Sequence, residues 1–352
     1  MAEDFRALVA LRAKEGEFTA LYKWDRADQT RQVQPLLVLD PYSAPEKQIT
    51  STEKAARKLN AHDRPLMIDA SDVAHLPGFG GGPAGALGEL TERLEHPADL
   101  FDDCYPVPFK PVLRTGASAS EVSLWQNLSE ELGLGGAIRV RPGESTRVNV
   151  EDFLGRLRLP AGDIDVVLDL QYVPKITGHT TGQALTMLRT TADTGSFRSV
   201  TLLSGSVPQQ LGRTSTWTQS RFEELLWQQL NNEVEIDLRL GDYGIVHPNS
   251  GRGYPSKHVN LKYSCRGSWR YYRELATTGS DDEVSESPSG FTLRMICRDL
   301  ARSEHFLGET FSWGDQQISA FCDRAAHWGT KSRSIALATS HHLAYLATPI
   351  NP

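Results

Sequence analysis

The chain has 352 residues, of which 39% are hydrophobic and 23% are charged, a composition typical of a globular protein. Its net charge of −7 excludes a basic surface over the whole protein, so nucleic-acid binding would require a local basic patch. No apolar stretch approaches the roughly 18 residues of a membrane-spanning helix, and we expect no membrane contact. The four cysteines show neither a close pair nor a metal-ligand spacing, which is typical of reduced thiols and predicts a cytoplasmic protein.

Short apolar runs recur along the chain and predict strands over 33–40, 65–70, 109–116, 135–142, 163–171, 198–205, 234–241 and 258–264. Most are separated by helix-like stretches, at 51–62, 120–133, 150–157 and 220–232. Ser118 or Ser120 is the expected N-cap of the second stretch. Alternating strands and helices favour parallel units, and eight strands over roughly 250 residues predict an α/β fold, a TIM-like (β/α)8 barrel. A doubly wound open sheet is the main alternative.

The barrel is expected to occupy residues 1–275, followed by an acidic, Ser-rich loop over 276–290. Residues 291–352 are predicted to form a C-terminal helical extension that packs on the barrel, so that the chain is one domain overall. The Gly/Pro-rich stretch 76–88 is interpreted as a mobile loop, because it lacks the Gly-Lys-Ser/Thr ending of a phosphate loop. The stretch 265–274 mixes arginines with aromatic residues, and we interpret it as a helix that packs on the barrel and not as a nucleic-acid-binding segment.

Charged residues alternate with apolar ones along several predicted strands. In 163–171, Asp165 and Asp169 share one face of the strand, whereas Val166 and Leu168 share the other. We expect the apolar face to contact the helices and the mixed face to point into the barrel. The other strands repeat this pattern and should place many polar groups at the carboxyl end of the barrel, where the active sites of this fold lie.

The carboxyl-end ring supplies the candidate site residues. The candidate catalytic residues are Asp40, Asp69, Asp169 and Asp242. The candidate ligand-binding residues are Arg114, Arg139, Arg141, Gln171, Arg239, Tyr243 and Lys262, with Ser204 on the same ring. Arginines bind phosphate or carboxylate, and the carboxylates could hold a divalent cation or act as general acid and base. The alternative is an internal Asp–Arg salt-bridge network that fills the barrel without chemistry.

Two histidines lie within the predicted last helix. Because His341 and His342 are adjacent, they should point to different sides and cannot chelate a metal as a pair.

Segments spread over the chain resemble the phage-satellite "beta protein" family. At the beginning they are Lys14, Gly16, Glu17, Ala20, Leu21, Pro35, Leu36 and Asp40. Near the seventh predicted strand they are Asp242, Tyr243, Ile245, His247 and Pro248. The resemblance covers nearly the whole chain and implies a TIM-barrel-like protein of mobile elements and bacterial genomes, often encoded near phage-defence genes. It assigns no catalytic residue.

Two hypotheses of function follow. In the first, the protein is a cytoplasmic component of anti-phage defence whose barrel mouth binds a phosphate-bearing ligand, nucleotide or nucleic acid, with metal-assisted hydrolysis as one option. In the second, it is a non-catalytic sensor or scaffold in a multi-protein defence complex, with a protein partner encoded nearby. Unpaired acids around a cavity would favour the enzyme, and closed Asp–Arg pairs would favour the scaffold.

Overall fold

The computed structural model describes residues 5–79, 83–96, 106–142, 157–212, 214–249, 251, 256–277, 287–323 and 332–349. Within these residues, eight parallel strands close into a barrel, which confirms the predicted fold. In barrel order they are β1 (Ala7–Arg12), β2 (Val33–Val38), β3 (Met67–Asp69), β4 (Lys110–Arg114), β5 (Gly136–Val140), β6 (Ile164–Tyr172), β7 (Ser199–Gly205) and β9 (Leu238–Asp242). Strand β9 pairs in parallel with β1 and so closes the barrel.

Helices surround the barrel. Those that precede the last barrel strand in the described residues are α1 (Glu15–Tyr22), α2 (Ala27–Thr30), α3 (Pro45–Asn60), α4 (Pro83–Glu95), α5 (Ala119–Glu131), α6 (Gly178–Thr194) and α7 (Phe222–Asn231). Ser118 is the N-cap of α5, as predicted, and forms a reciprocal capping box with Glu121. The helix predicted over 150–157 lies outside the described residues except for Leu157. None of the described helices is both long and apolar enough to span a membrane.

The prediction was wrong about one barrel strand at each end of the chain. The first barrel strand is β1, which was not predicted, and the run 258–264 belongs to another sheet. All six residues of β1 are buried, because the strand is covered by neighbours on both faces. The run 258–264 alternates between buried and partly exposed residues, which is typical of an antiparallel sheet with one covered face.

The second sheet is antiparallel and contains β8 (Ser215–Ser220), β10 (His258–Cys265) and β11 (Ser268–Leu275), in the order β10-β11-β8. The stretch 265–274 therefore forms a hairpin and a strand, and its interpretation as a helix was wrong. Its aromatic residues do pack, since Trp269, Tyr271 and Tyr272 are buried. Helices α8 (Pro288–Ala301) and α9 (Trp313–Asp323) share one hydrophobic cluster with this sheet.

The last helix, α10 (Ser332–Ala347), completes the helical layer of the barrel. It packs against α1 and contacts β1 and β2. Its Tyr345 hydroxyl donates to Glu224 of α7 at 3.2 Å. The helix therefore lies between α7 and α1, where the eighth helix of a (β/α)8 barrel belongs. The second sheet, α8 and α9 are inserted before it.

Two predicted loops are shorter than expected. Within 76–88, residues from Pro83 onward belong to α4, and 80–82 lie outside the described residues. Within 276–290, residues from Pro288 onward belong to α8, and 278–286 lie outside the described residues.

Candidate functional site at the barrel mouth

The predicted alternation of the barrel strands is confirmed. Val166 and Leu168 pack in the outer core between barrel and helices, whereas Val167 belongs to the apolar cluster inside the barrel. Asp169 points inward as predicted and reaches Arg139 of the neighbouring strand. The middle of the barrel is apolar, and charges lie on both sides of it.

Arg139 is the centre of the upper charged layer. Its Nη1 lies 2.7 Å from Asp69 Oδ2, its Nε lies 2.9 Å from Asp169 Oδ2, and none of these side chains is exposed. Its Nη2 donates to the Tyr243 hydroxyl at 2.5 Å, and that hydroxyl donates to Asp169 Oδ1 at 2.6 Å. These four groups form a closed hydrogen-bonded network, which is the salt-bridge arrangement considered as the alternative.

The two carboxylates of this network stay charged. Burial raises the pKa of Asp69, but the positive charges of Arg114 and Arg139 outweigh it and hold the pKa below its usual range. Burial also raises the pKa of Asp169, and Arg139 and Arg141 likewise lower it. Burial raises the pKa of Tyr243, which keeps its proton at neutral pH. Paired in this way, Asp69 and Asp169 position arginines and are poor proton acceptors for a ligand.

In the next layer toward solvent, two arginines form ion pairs with Asp72. Arg114 donates to Asp69 at 3.1 and 3.2 Å and to Asp72 at 2.8 Å. Arg12, at the end of β1, lies 3.5 Å from Asp72 and donates to the backbone carbonyl of Pro248. Arg12 was missed because β1 was not predicted, and Asp72 was missed because it lies in the turn after β3, where strand alternation gives no direction. The signal was present, since Arg12 ends the apolar run ALVALR at the position where Arg114 ends β4.

Arg141 is held at one atom only. Its Nε lies 3.0 Å from Asp169 Oδ2, and its side chain is 23% exposed. Among the described residues, its terminal nitrogens contact no acceptor. Beside it, Gln171 has a φ of 59° at a β-bulge in β6, and its backbone N–H donates to Asp169 at 2.9 Å. A non-glycine residue in this left-handed conformation is typical of functional sites.

A second group of acids lies beside Lys14. Asp40 Oδ2 accepts from the backbone of Tyr42 and from the Ser43 hydroxyl, at 3.2 and 2.9 Å. Lys14 Nζ lies 3.4 Å from Asp40 Oδ1, but this oxygen and Glu17 Oε2 are buried with no hydrogen-bond partner among the described residues. Burial raises the pKa of Glu17 to about 7. These two oxygens are acceptors of the mouth that lack a hydrogen bond among the described residues.

Another part of the mouth is formed by Lys262, Tyr172 and His247. Lys262 lies on β10 and not on a barrel strand, but its Nζ reaches the carbonyl of Ile245 at 2.6 Å. Burial lowers the pKa of Lys262 to about 8, although the charge of Glu17 acts in the other direction. The rings of Tyr172 and His247 lie 4.6 Å apart. Burial also lowers the pKa of His247.

Four predicted site residues do not line the mouth. Arg239 points inward as expected, but it is the second residue of β9 and packs over the Phe5 ring at 4.2 Å, at the amino end of the barrel. Asp242 points outward and is buried against helices. Ser204 pairs with Asp242 in the strand register and shares its outward parity. Tyr243, expected as a wall of the pocket, is buried inside the charged network.

Asp242 belongs to a separate buried cluster. Its carboxylate contacts Arg221 at 2.7 Å and His342 at 2.9 Å, and His342 Nδ1 lies 2.6 Å from the Ser264 hydroxyl. This is a Ser–His–Asp chain, but all three members are at most 1% exposed, so it fixes α10 to the barrel and the second sheet. His341 points to Asp315 instead, which confirms that the two histidines face different sides.

Metal ligation was tested on the same residues. In the described part of the chain, no group of three or more His, Cys, Asp or Glu side chains is arranged to hold a metal ion. The divalent cation considered from the sequence therefore has no ligand set made of these side chains.

Comparisons with known proteins show the family to which the chain belongs. No curated protein matched the chain. Among solved structures, it is similar to alanine racemase from Clostridium difficile 630 in complex with cycloserine, with 9% identity and a TM-score of 0.34. The match covers 72% of this chain and 53% of that one, so the chain spans about half the length of the racemase structure. Residues 9–348 match the model of the Beta protein family, and the chain belongs to that family.

Proposed function

We propose that the barrel mouth binds a phosphate-bearing ligand, with Arg141 as its main contact. Arg141 carries this proposal because its Nε is fixed by Asp169 while its terminal nitrogens face no acceptor in the described residues. A guanidinium held at one edge is already oriented for two parallel hydrogen bonds to phosphate. Fixing the side chain before binding reduces the entropy lost on binding.

The charge balance of the mouth supports an anion. Its cationic groups are Arg12, Lys14, Arg114, Arg139, Arg141 and Lys262. Its carboxyl groups are Glu17, Asp40, Asp69, Asp72 and Asp169. Because burial raises the pKa of Glu17 to about 7, this acid carries only about half of its negative charge near pH 7. The cluster is therefore positive within a protein whose overall charge is −7.

A non-catalytic sensor or scaffold is the second candidate. It is favoured by the closed pairs of Asp69 and Asp169 with arginines, since such pairs hold a barrel together without chemistry. Under this candidate the ligand would be a signal and would not be converted. The two candidates share the same binding site and differ in turnover.

The cellular setting that we propose is anti-phage defence in the cytoplasm, with a protein partner encoded nearby. Its support is the resemblance of the chain to proteins found near phage-defence genes, and no contact of the barrel mouth bears on it. Plaque counts on cells that carry or lack the gene with its neighbours test this setting separately from ligand binding.

Titration calorimetry with inorganic phosphate, pyrophosphate and ATP tests the binding proposal. We expect at least one to bind, and Arg141→Gln to weaken that binding by about tenfold or more, since a charge-assisted pair contributes about 1.5–3 kcal/mol. Arg31→Gln is the matched control, because Arg31 is exposed and lies just before β2, at the other end of the barrel. Equal binding by wild type and Arg141→Gln would refute the proposal.

Turnover separates the two candidates. The protein is incubated with the phosphate compound that binds, with and without Mg²⁺, and the products are separated by chromatography. Release of phosphate that is lost in Arg141→Gln supports an enzyme. Binding without any product supports the sensor or scaffold.

A further inference from the structure

The inner face of the antiparallel sheet overhangs the barrel mouth. Gln219 of β8 donates to the carbonyl of Ser206, just beyond β7, at 2.9 Å. Lys262 of β10 donates to the carbonyl of Ile245, just beyond β9, at 2.6 Å. In the strand register Lys262 is opposite Tyr271, which is opposite Trp217, so these three side chains share one face of the sheet. That face is the one directed at the mouth.

Aromatic rings lie on both the sheet side and the barrel side of this overhang. Trp217 and Tyr271 of the sheet have ring centroids 5.0 Å apart. On the barrel side, the rings of Tyr172 and His247 lie 4.6 Å apart. The charge of Tyr172 acts on Tyr271, which indicates that the two pairs lie near each other. We call these four residues the aromatic cleft.

The aromatic cleft has the features of a binding surface and not only of a core. Tyr172, His247 and Trp217 are each partly exposed. The hydroxyl of Tyr271 is buried and has no hydrogen-bond partner among the described residues. Buried hydroxyls in native proteins are nearly always paired with protein or ordered water, so this hydroxyl is a donor that lacks its partner.

We propose that the aromatic cleft holds the base of a free nucleotide whose phosphate lies at Arg141. This inference rests on the proposed function and names its ligand class. Tyr172 is three residues beyond Asp169 on β6, which places its ring within roughly 10 Å along the strand of the carboxylate that holds Arg141. Aromatic side chains stack on nucleobases of any type, and the Tyr271 hydroxyl would donate to an acceptor on the base.

A free nucleotide fits better than a nucleic-acid strand. A strand is held mainly through successive phosphates, which requires a basic track along its path. The arginines of this mouth are gathered on carboxylates at the carboxyl ends of the barrel strands and not along a track, and the chain as a whole is acidic.

The experiment compares ribose 5-phosphate with the four common nucleoside monophosphates by titration calorimetry. At least one nucleotide should bind about tenfold more tightly than ribose 5-phosphate, which is equivalent to about 1.4 kcal/mol. Tyr172→Leu and Trp217→Leu should each remove that difference and leave the affinity for ribose 5-phosphate unchanged. Trp313→Leu is the control, because this partly exposed aromatic residue lies on α9, outside the cleft.

The outcomes separate this inference from the proposed function. Equal affinities for ribose 5-phosphate and all four nucleotides would overturn the aromatic cleft and leave the phosphate site standing. Absence of binding by every probe would overturn both. A nucleotide preference that survives in both leucine variants would place the base elsewhere, and tighter binding of a single-stranded oligonucleotide than of any mononucleotide would overturn the free nucleotide.

Discussion

Arg139 and Asp169 face each other across the neighbouring strands β5 and β6, with 2.9 Å between Nε and Oδ2 and neither side chain exposed. Asp69 contacts the same guanidinium from β3 at 2.7 Å. Taking these charges out of water is costly, and their mutual attraction offsets that cost only while every member is present. The upper layer of the barrel therefore depends on complete pairing, and the loss of one member should be felt throughout the layer.

Arg139→Met tests that dependence. The substitution leaves Asp69 and Asp169 buried without their central partner, and we expect a loss of about 3–5 kcal/mol in the free energy of unfolding. Urea denaturation followed by circular dichroism measures it. The control is Arg31→Met, which removes an exposed arginine paired with Asp63 and should change stability by less than about 0.5 kcal/mol. Similar small losses in both variants would show that the network contributes little.

Low pH should lower the stability of the barrel, because it protonates buried aspartates. The pKa values of Asp69, Asp165 and Asp169 are lowered in the folded protein, whereas an aspartate in the unfolded chain titrates near about 3.9. Their stabilisation is complete above that pH and is lost as the pH falls through the lower native values. Urea midpoints should therefore fall steeply below about pH 4. Asp165→Asn should show a shallower fall, and parallel curves for the two proteins would contradict this explanation.

The sequence predicts the barrel well where side chains alternate. In β6, the inward aspartates and the outward Val166 and Leu168 indicate both a strand and its orientation. Alternation is absent from β1, because a strand buried on both faces shows none, and only the apolar run ALVALR marks this strand. Alternation misleads for β10, because an antiparallel strand with one covered face alternates more clearly than a barrel strand. Periodicity thus identifies strands but not the sheet that each one joins.

The site is predicted less completely. Alternation along a strand shows whether a side chain points into the barrel, but not where it lies along the barrel axis. Arg239 points inward as expected, yet it lies at the amino end, since β9 begins only at Leu238. The height at which side chains meet depends on the stagger between strands, which is a property of the closed barrel. Glu17 reaches the mouth from the helix after β1, so its position could not be predicted while that strand was missing.

Glu17→Gln tests the buried acid of the mouth. Charged groups near Glu17 are Lys14, Arg12, Asp40 and Lys262. Burial raises the pKa of Glu17 to about 7, so the folded state keeps a proton that the unfolded chain releases near about pH 4.3. This group therefore lowers the stability of the wild type as the pH rises from about 4.3 to 7, and the loss persists above that range.

The comparison is made between pH 5 and pH 8 with urea denaturation. Between pH 5 and pH 8, the free energy of unfolding of Glu17→Gln should rise relative to that of wild type by up to about 3 kcal/mol. The reason is that each pKa unit is equivalent to about 1.36 kcal/mol. Glu15→Gln is the matched control on the same helix, since Glu15 is exposed. A constant difference for Glu17→Gln would mean that this carboxyl titrates as an ordinary glutamate.

Substitutions of Gly16 and Ile335 test the packing of α10 against α1. A Cβ atom at Gly16 would lie 2.6 Å from Cγ2 of Ile335, so Gly16→Ala should cost about 1–3 kcal/mol through overpacking. The Cβ atom of Ile335, at 2.7 Å, would clash as well, and Ile335→Gly removes both atoms. The double variant should therefore be more stable than the two single losses predict, with a coupling of about 0.5–3 kcal/mol. A double-mutant cycle by urea denaturation measures this coupling, and strictly additive losses would show that these two residues do not contact each other.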